Sequence, residues 1–138
     1  MRVTIDTCIF MNVLNDEPGA DASQALLRKV LKGEVGGLIS VMTIAELFSI
    51  YGKINKRRAA RAKGLVVRIV GEESVAPVLI QVAEVAGRLK AKYRGVSLGD
   101  SLILATAILT GSDAVITRDP TLAVVEEIKA LRPEDVKL

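Results

Sequence analysis

Hydrophobic and polar positions change period several times along the chain, and each change marks an element. The β-branched run Val3, Thr4, Ile5 predicts a strand that stops at Asp6. "CIFMNVL" follows, and Pro18 and Gly19 close the segment, so a short helix or turn is expected over Cys8 to Leu14. "ADASQALLRKVLKG" is amphipathic, with Ala22, Ala25, Leu26, Val30 and Leu31 near one face and Gly33 as its stop. "GGLISV" predicts a second strand. "TIAELFSIYGKINKRRAARAKGLVVRIV" predicts two successive helices, bent near Gly52 to Lys56, and "ESVAP" a short third strand or connection. Another helix is expected over "VLIQVAEVAGRLKAKYRG", with Leu79, Val82, Ala83, Ala86 and Leu89 on one side. "SLGDSLILATAILTG" is apolar nearly all round, the mark of a buried helix. "DAVIT" predicts a strand, "RDPTLAVVEEI" a turn into a helix, and "KALRP" an edge strand.

Strands thus alternate with helices. That order implies an α/β fold with a mainly parallel sheet and helices on both faces. The chain of 138 residues has the length of one domain and shows no repeat, linker or low-complexity tract, so a single domain over residues 1–138 is expected. In such sheets ligands bind beyond the carboxyl ends of the strands. Asp6 stands at one such end, and Asp119, after "AVIT", at another.

Composition narrows the chemistry. Half of the residues are hydrophobic, enough for a substantial core. The 19 basic and 16 acidic residues leave a mild net charge of +3, which permits contact with phosphates without demanding it. There is no histidine, which excludes Ser-His-Asp and Cys-His catalysis and removes the commonest zinc ligand. A single cysteine allows no internal disulfide and fits a reducing compartment. Asp6 interrupts any signal-peptide core, and "SLILATAILTG" is shorter than the ~20 residues a membrane span needs, so a soluble cytoplasmic protein is expected. Any metal would be held by oxygen, which points to magnesium or manganese.

Four acids matter most: Asp6, Glu46, Asp100 and Asp119. Each has an ordinary reading. Asp6 fits an N-cap of the helix near Cys8. "TIAE", from Thr43 to Glu46, matches a capping box, and "SLGD", from Ser97 to Asp100, has the same spacing. Asp119 before Pro120 is a natural cap. Taken together they say more. Two follow short strands and two open apolar helices, and in a parallel sheet those ends share one rim. Four carboxylates gathered there repel one another unless a cation joins them or some take up protons. Acidic clusters holding one or two hard divalent ions are suited to phosphodiester cleavage.

"IDTCIF", "SVMTIAEL", "VSLGDSLILATA" and "AVITRDP" resemble, in order and over nearly the whole chain, four blocks of the PIN domain family, in particular its small stand-alone VapC-type toxins. The resemblance implies a PIN-like three-layer α/β/α sandwich around a central, mainly parallel sheet of about four or five strands. It implies a Mg2+- or Mn2+-dependent endoribonuclease with Asp6, Glu46, Asp100 and Asp119 as catalytic metal ligands. Thr117 matches a hydroxyl residue supporting the fourth acid or a metal-bound water. VapC-type toxins pair with an antitoxin protein and are usually dimers, so an antitoxin and a homodimer are expected. The family often carries Asn or Ser two residues after the first acid, where this chain has Cys8. An aromatic that often follows the fourth block is replaced in that vicinity by Leu122.

Other residues carry weaker signals. Arg118, beside Asp119, is a candidate for contacting substrate phosphate or balancing the acids. Lys53, Lys56, Arg57, Arg58, Arg61 and Lys63 form a basic stretch that reads as a solvated face or as a track for RNA. Cys8 reads as a small buried hydrophobe. Phe10, Met11, Leu47, Phe48 and Tyr51 read as core or as a groove for a partner. Two other functions remain open at this point. One is a non-catalytic PIN-like module that binds RNA or a partner. The other, a phosphatase or phosphoacceptor using Asp6 as nucleophile, lacks the second acid at position 8 and the adjacent acidic pair such enzymes need.

Overall fold

In the computed structural model, which describes residues 1–137, the strands are β1 Arg2–Ile5, β2 Gly36–Ser40, β3 Val75–Ala76, β4 Ala114–Ile116 and β5 Ala130–Leu131. They form one sheet in the order β3-β2-β1-β4-β5, and every pairing is parallel. The helices are α1 Thr7–Leu14, α2 Ala20–Leu31, α3 Val41–Tyr51, α4 Lys56–Val70, α5 Ile80–Lys92 and α6 Leu98–Leu109. "KALRP" is the edge strand the pattern implied.

Alternation along the strands divides the core. In β4, Ala114 and Ile116 face the layer of α1 to α4, where they meet Val3, Ile5, Phe10, Leu26 and Val66. Val115, between them, faces α5 and α6 and packs with Ala86, Leu89, Ile103 and Leu104. The result is a three-layer α/β/α sandwich. Close approach needs small residues: a Cβ on Gly37 of β2 would lie 2.6 Å from a methyl of Val30 on α2. No helix among the described residues is long and apolar enough to cross a membrane.

Four local expectations need correction. The buried stripe of α2 is Ser23, Leu26, Leu27 and Val30, because the Ser23 hydroxyl is drawn inward to Asn12 Oδ1 at 2.6 Å; Ala25 is exposed and Leu31 is 54% exposed. In α5 only Val82, Ala86 and Leu89 of the expected side are buried, since Leu79 is the N-cap and Ala83 faces solvent. "RDPTLAVVEEI" makes a single 3₁₀ turn, Pro120–Val124, from which Leu122 and Val125, three residues apart, both reach the core. Helix α3 begins two residues before Thr43: the Ser40 hydroxyl caps it by accepting from Met42 N at 3.0 Å. The "TIAE" pattern is therefore not a capping box, and Glu46 lies in the second turn.

Candidate functional site

Because the sheet is parallel, the residues after β1, β2 and β4 emerge on one rim. Asp6 follows β1, Ser40 leads from β2 into α3 with Glu46, and Thr117 to Asp119 follow β4. The first turn of α6, which carries Asp100, meets α3 at the same place: a Cβ on Gly99 would lie 3.7 Å from Glu46 Oε2.

Asp6 occupies the N-cap position of α1, yet its side chain makes no cap hydrogen bond. Its carboxylate is turned across the rim, where Oδ2 accepts from Thr117 Oγ1 at 2.7 Å and from Cys8 Sγ at 3.1 Å. Asp6 is only 4% exposed. Burial raises its carboxyl above the ordinary value against the pull of these two donors, and the charge of Asp119 adds to the rise.

Glu46 is oriented by a hydroxyl relay. Its Oε1 accepts from Thr7 Oγ1 at 2.6 Å, and Thr7 Oγ1 lies 2.9 Å from Thr43 Oγ1. A hydroxyl has one proton to give. Thr7 gives its proton to Glu46, so Thr43 donates to Thr7. Partial burial raises the Glu46 carboxyl, and the charges of Asp6 and Asp100 push the same way. Thr7 is the residue that sequence reasoning missed. Its signal was present: it adjoins Asp6, and Thr43 stands one helical turn before Glu46.

Asp100 is set by the α6 cap, in which Ser97 Oγ accepts from the Asp100 amide at 3.1 Å. Partial burial raises its carboxyl, followed by the charges of Asp6 and Asp119. Asp119 does cap the next turn, since its Oδ1 accepts from both Thr121 N and Thr121 Oγ1. Thr117 ties the first acid to the fourth, donating to Asp6 and accepting from the Asp119 amide at 3.0 Å. Asp6, Glu46, Asp100, Asp119 and Thr117 thus share one neighbourhood.

Arg118 does not join them. The chain bends at Arg118, just past the end of β4, and its side chain is sent away from the acids. Its Nη1 donates to both oxygens of Glu134 at 2.9 and 3.0 Å, Nη2 to Gly19 O at 2.8 Å, and Nε to Asn12 Oδ1 and Ser23 Oγ. It clasps the 3₁₀ turn Pro133–Asp135 to the start of α2 and does not pair with the acids, one of the two roles expected of it. Cys8 is half-buried and is more than a small hydrophobe. Its sulfur also accepts from the Arg118 amide at 3.5 Å, and burial, reinforced by the Asp6 charge, pushes the thiol up to about 12. It stays protonated, able to donate to Asp6 and unsuited to bind a metal as thiolate.

Three of the four acids are thus electrostatically coupled to others of the set and held above the ordinary carboxylate range. Among the described residues no three His, Cys, Asp or Glu side chains stand close enough together to hold a metal ion as they are placed. The donors on the rim are carboxylate and hydroxyl oxygens, the kind a hard divalent cation takes together with water. The donor chemistry of the rim therefore fits a hard divalent ion.

Away from the rim, two grooves share Leu65 of α4. One, of about 220 Å³, is lined by Phe10, Val13, Leu27, Leu31 and Ile69; the other, of about 360 Å³, by Leu14, Tyr51, Ala62, Arg58 and Arg61. Of the five apolar residues flagged as a partner surface, Phe10, Leu47 and Tyr51 are buried, Met11 is partly buried, and Phe48 is 44% exposed.

The class so defined is a parallel α/β/α sandwich with acids gathered at the carboxyl rim of its sheet. Residues 3–128 match the PIN domain family. The chain belongs to that family. Its fold is similar to that of VapBC2 from Rickettsia felis bound to a promoter DNA fragment, with a TM-score of 0.73 at 16% identity over 96% of this chain and 98% of that one. A toxin-antitoxin complex from Klebsiella pneumoniae gives 0.70 at 20% identity over 97% and 99% of the two chains. FitAcB from Neisseria gonorrhoeae gives 0.69 at 22% identity over 97% and 99%. No curated protein matches the sequence.

Proposed function

We propose that the chain is a Mg2+- or Mn2+-dependent endoribonuclease and acts in the cytoplasm as the toxin of a VapBC-type pair. The observation that carries this reading is the coupling of Asp6, Glu46, Asp100 and Asp119 on one rim, with hydroxyl donors fixed on the first two. Membership of a family whose domains are generally nucleases supports it. The toxin-antitoxin complexes among the structural neighbours support an antitoxin partner, and the grooves along α4, apolar and edged by Arg58 and Arg61, suit an amphipathic acidic segment of such a protein. A homodimer belongs to the same reading.

Asp6, Glu46, Asp100 and Asp119 would hold the ion directly or through water. When bound, the ion polarises the scissile phosphate, lowers the pKa of an attacking water and stabilises the leaving oxygen. The protein's own part is to orient. Thr117 and Cys8 fix Oδ2 of Asp6, Thr7 fixes Oε1 of Glu46, and Ser97 sets the turn that carries Asp100. Burial keeps these carboxylates poor in water contacts, so exchanging their remaining hydration for a cation is favourable.

Cleavage of RNA in Mn2+ tests the reading. Asp6→Asn and Asp100→Asn are each expected to lower the rate by a factor of about 100 or more, equivalent to ~2.7 kcal/mol or more of lost transition-state stabilisation. Cleavage by both variants at the parent rate would remove the acids from the mechanism.

A further inference from the structure

The positive charge of this protein is concentrated in one segment. Lys53, Lys56, Arg57, Arg58, Arg61, Lys63 and Arg68 stand between residues 53 and 68, with no acid among them. Of 19 basic residues these are 7, so the rest of the chain has 12 against 16 acidic residues, a formal charge of −4. All seven side chains belong to exposed residues, and none is in an ion pair among the described residues. Lys56, Arg57 and Arg58 form the first turn of α4, where the helix dipole is positive and no acid offsets them. Local stability alone does not explain cations placed there.

Topology puts this turn at the same end of the sheet as the acids. Helix α4 ends at Val70 and the chain enters β3 at Val75, parallel to the rest of the sheet. The end of α4 therefore lies at the amino side of the sheet and its start at the carboxyl side, where the four carboxylates are. Arg58 sits over the ring of Tyr51, 5.6 Å from its centroid, which ties the start of α4 to the helix that carries Glu46.

We propose that the amino-terminal half of α4, through Lys53, Lys56, Arg57 and Lys63, binds the phosphate backbone of the RNA substrate and presents it to the acidic rim. This rests on the ribonuclease reading. An acidic site on an otherwise negative body repels a polyanion, so attraction must come from a separate positive surface. Arg58 and Arg61 edge an apolar groove, but Lys56, Arg57 and Lys63 line neither groove. A run of exposed cations with no acid among them, most of it outside both grooves, matches the evenly charged backbone of a sugar-phosphate chain.

The test is binding of a labelled single-stranded RNA in EDTA, followed by fluorescence anisotropy over a series of salt concentrations. The triple variant Lys56→Gln, Arg57→Gln, Lys63→Gln keeps good helix formers on an exposed face, and thermal melting checks its fold. Its Kd is expected to rise tenfold or more at low salt, and the slope of log K against log salt to become shallower by about 2, at ~0.7 per phosphate contact. Lys32→Gln, an exposed cation at the C-cap of α2 on the amino side of the sheet, should leave both unchanged. Unaltered affinity and slope in the triple variant would overturn the proposal. So would intact RNA binding with loss of binding to a polyglutamate probe, which would assign the surface to an acidic protein. If the parent cleaves RNA in Mn2+ while the triple variant binds RNA as tightly as the parent, the ridge of cations on α4 fails as the RNA site and the nuclease stands. If the parent does not cleave but RNA binding still needs these cations, the nuclease reading fails and the ridge stands.

Discussion

Thr7→Val isolates the support of Glu46 from the fold around it. Valine matches threonine in shape and removes only the hydroxyl. Thr7 is 4% exposed and Thr43 is fully buried, so neither lost contact is readily replaced by water. The bond from Thr7 to Glu46, at 2.6 Å, goes to a charged acceptor and is worth about 1.5–3 kcal/mol. The Thr43 proton is left without its acceptor at 2.9 Å, a further penalty of about 1 kcal/mol or more. Glu46 is only part-buried and can turn toward solvent, which offsets some of the first loss. The net expectation is about 2–3 kcal/mol, read from urea unfolding of the metal-free protein at neutral pH. Glu46→Gln in the same background should show coupling of about 1–2 kcal/mol in a double-mutant cycle. Calorimetric Mn2+ affinity should fall by about tenfold, the low end for outer-shell partners of metal ligands. Additive single-variant effects, or a loss below about 0.5 kcal/mol, would show that the relay does not hold Glu46.

Three further outcomes are expected. Asp6, Glu46 and Asp100 all have raised folded-state pKa values, chiefly through burial; their stabilising contribution is full below the ordinary carboxylate range and is lost as pH rises through the raised values. Metal-free protein should therefore lose stability as pH climbs above that range, and Asp6→Asn should flatten the slope; a metal-free protein that gains stability across this window would contradict the burial argument. Cys8→Ala should weaken Mn2+ binding about tenfold while Cys8→Ser, which keeps a donor for Asp6 Oδ2, stays near the parent, and equal calorimetric affinities for the two would make the thiol contact irrelevant. Gly19 has φ +87° and a Cβ there would stand 2.8 Å from Arg118 Cζ, so Gly19→Ala should destabilise by about 1–3 kcal/mol in urea unfolding and reduce the further effect of Glu134→Gln; full additivity would mean that the Arg118 clasp survives.

The order of elements was legible because this chain obeys simple periods. β-branched runs gave strands, glycines and prolines ended helices, and the apolar helix "SLGDSLILATAILTG" is buried as its pattern implies. The convergence of the acids was legible from topology alone, since strand ends and helix starts share a rim in any parallel sheet. Glu46 was placed one turn too early because two hydroxyl residues competed to cap α3, and Ser40, still at the end of β2, won over Thr43. Sequence proximity also misled at Arg118. The chain bends at Arg118, and the side chain turns to Glu134 and Gly19 O instead of to the acids of the rim.

Capping and the proposed metal role compete for the same carboxylates, and the two strand-end acids resolve the conflict differently. Asp119 caps its turn with Oδ1, leaving Oδ2 as the oxygen outside the cap. Asp6 holds the cap position but gives its Oδ2 to Thr117 and Cys8, leaving α1 without a side-chain cap. Giving up a cap costs about 1 kcal/mol, and burying the carboxylate among other acids adds to that. A purely structural Asp6 would accept neither penalty, because turning back to the helix amides would relieve both. The proposed metal role of Asp6 would account for this local conflict, and Cys8 helps maintain the orientation. The thiol at the position where the family often has Asn or Ser keeps the contact with the first acid through a weaker donor.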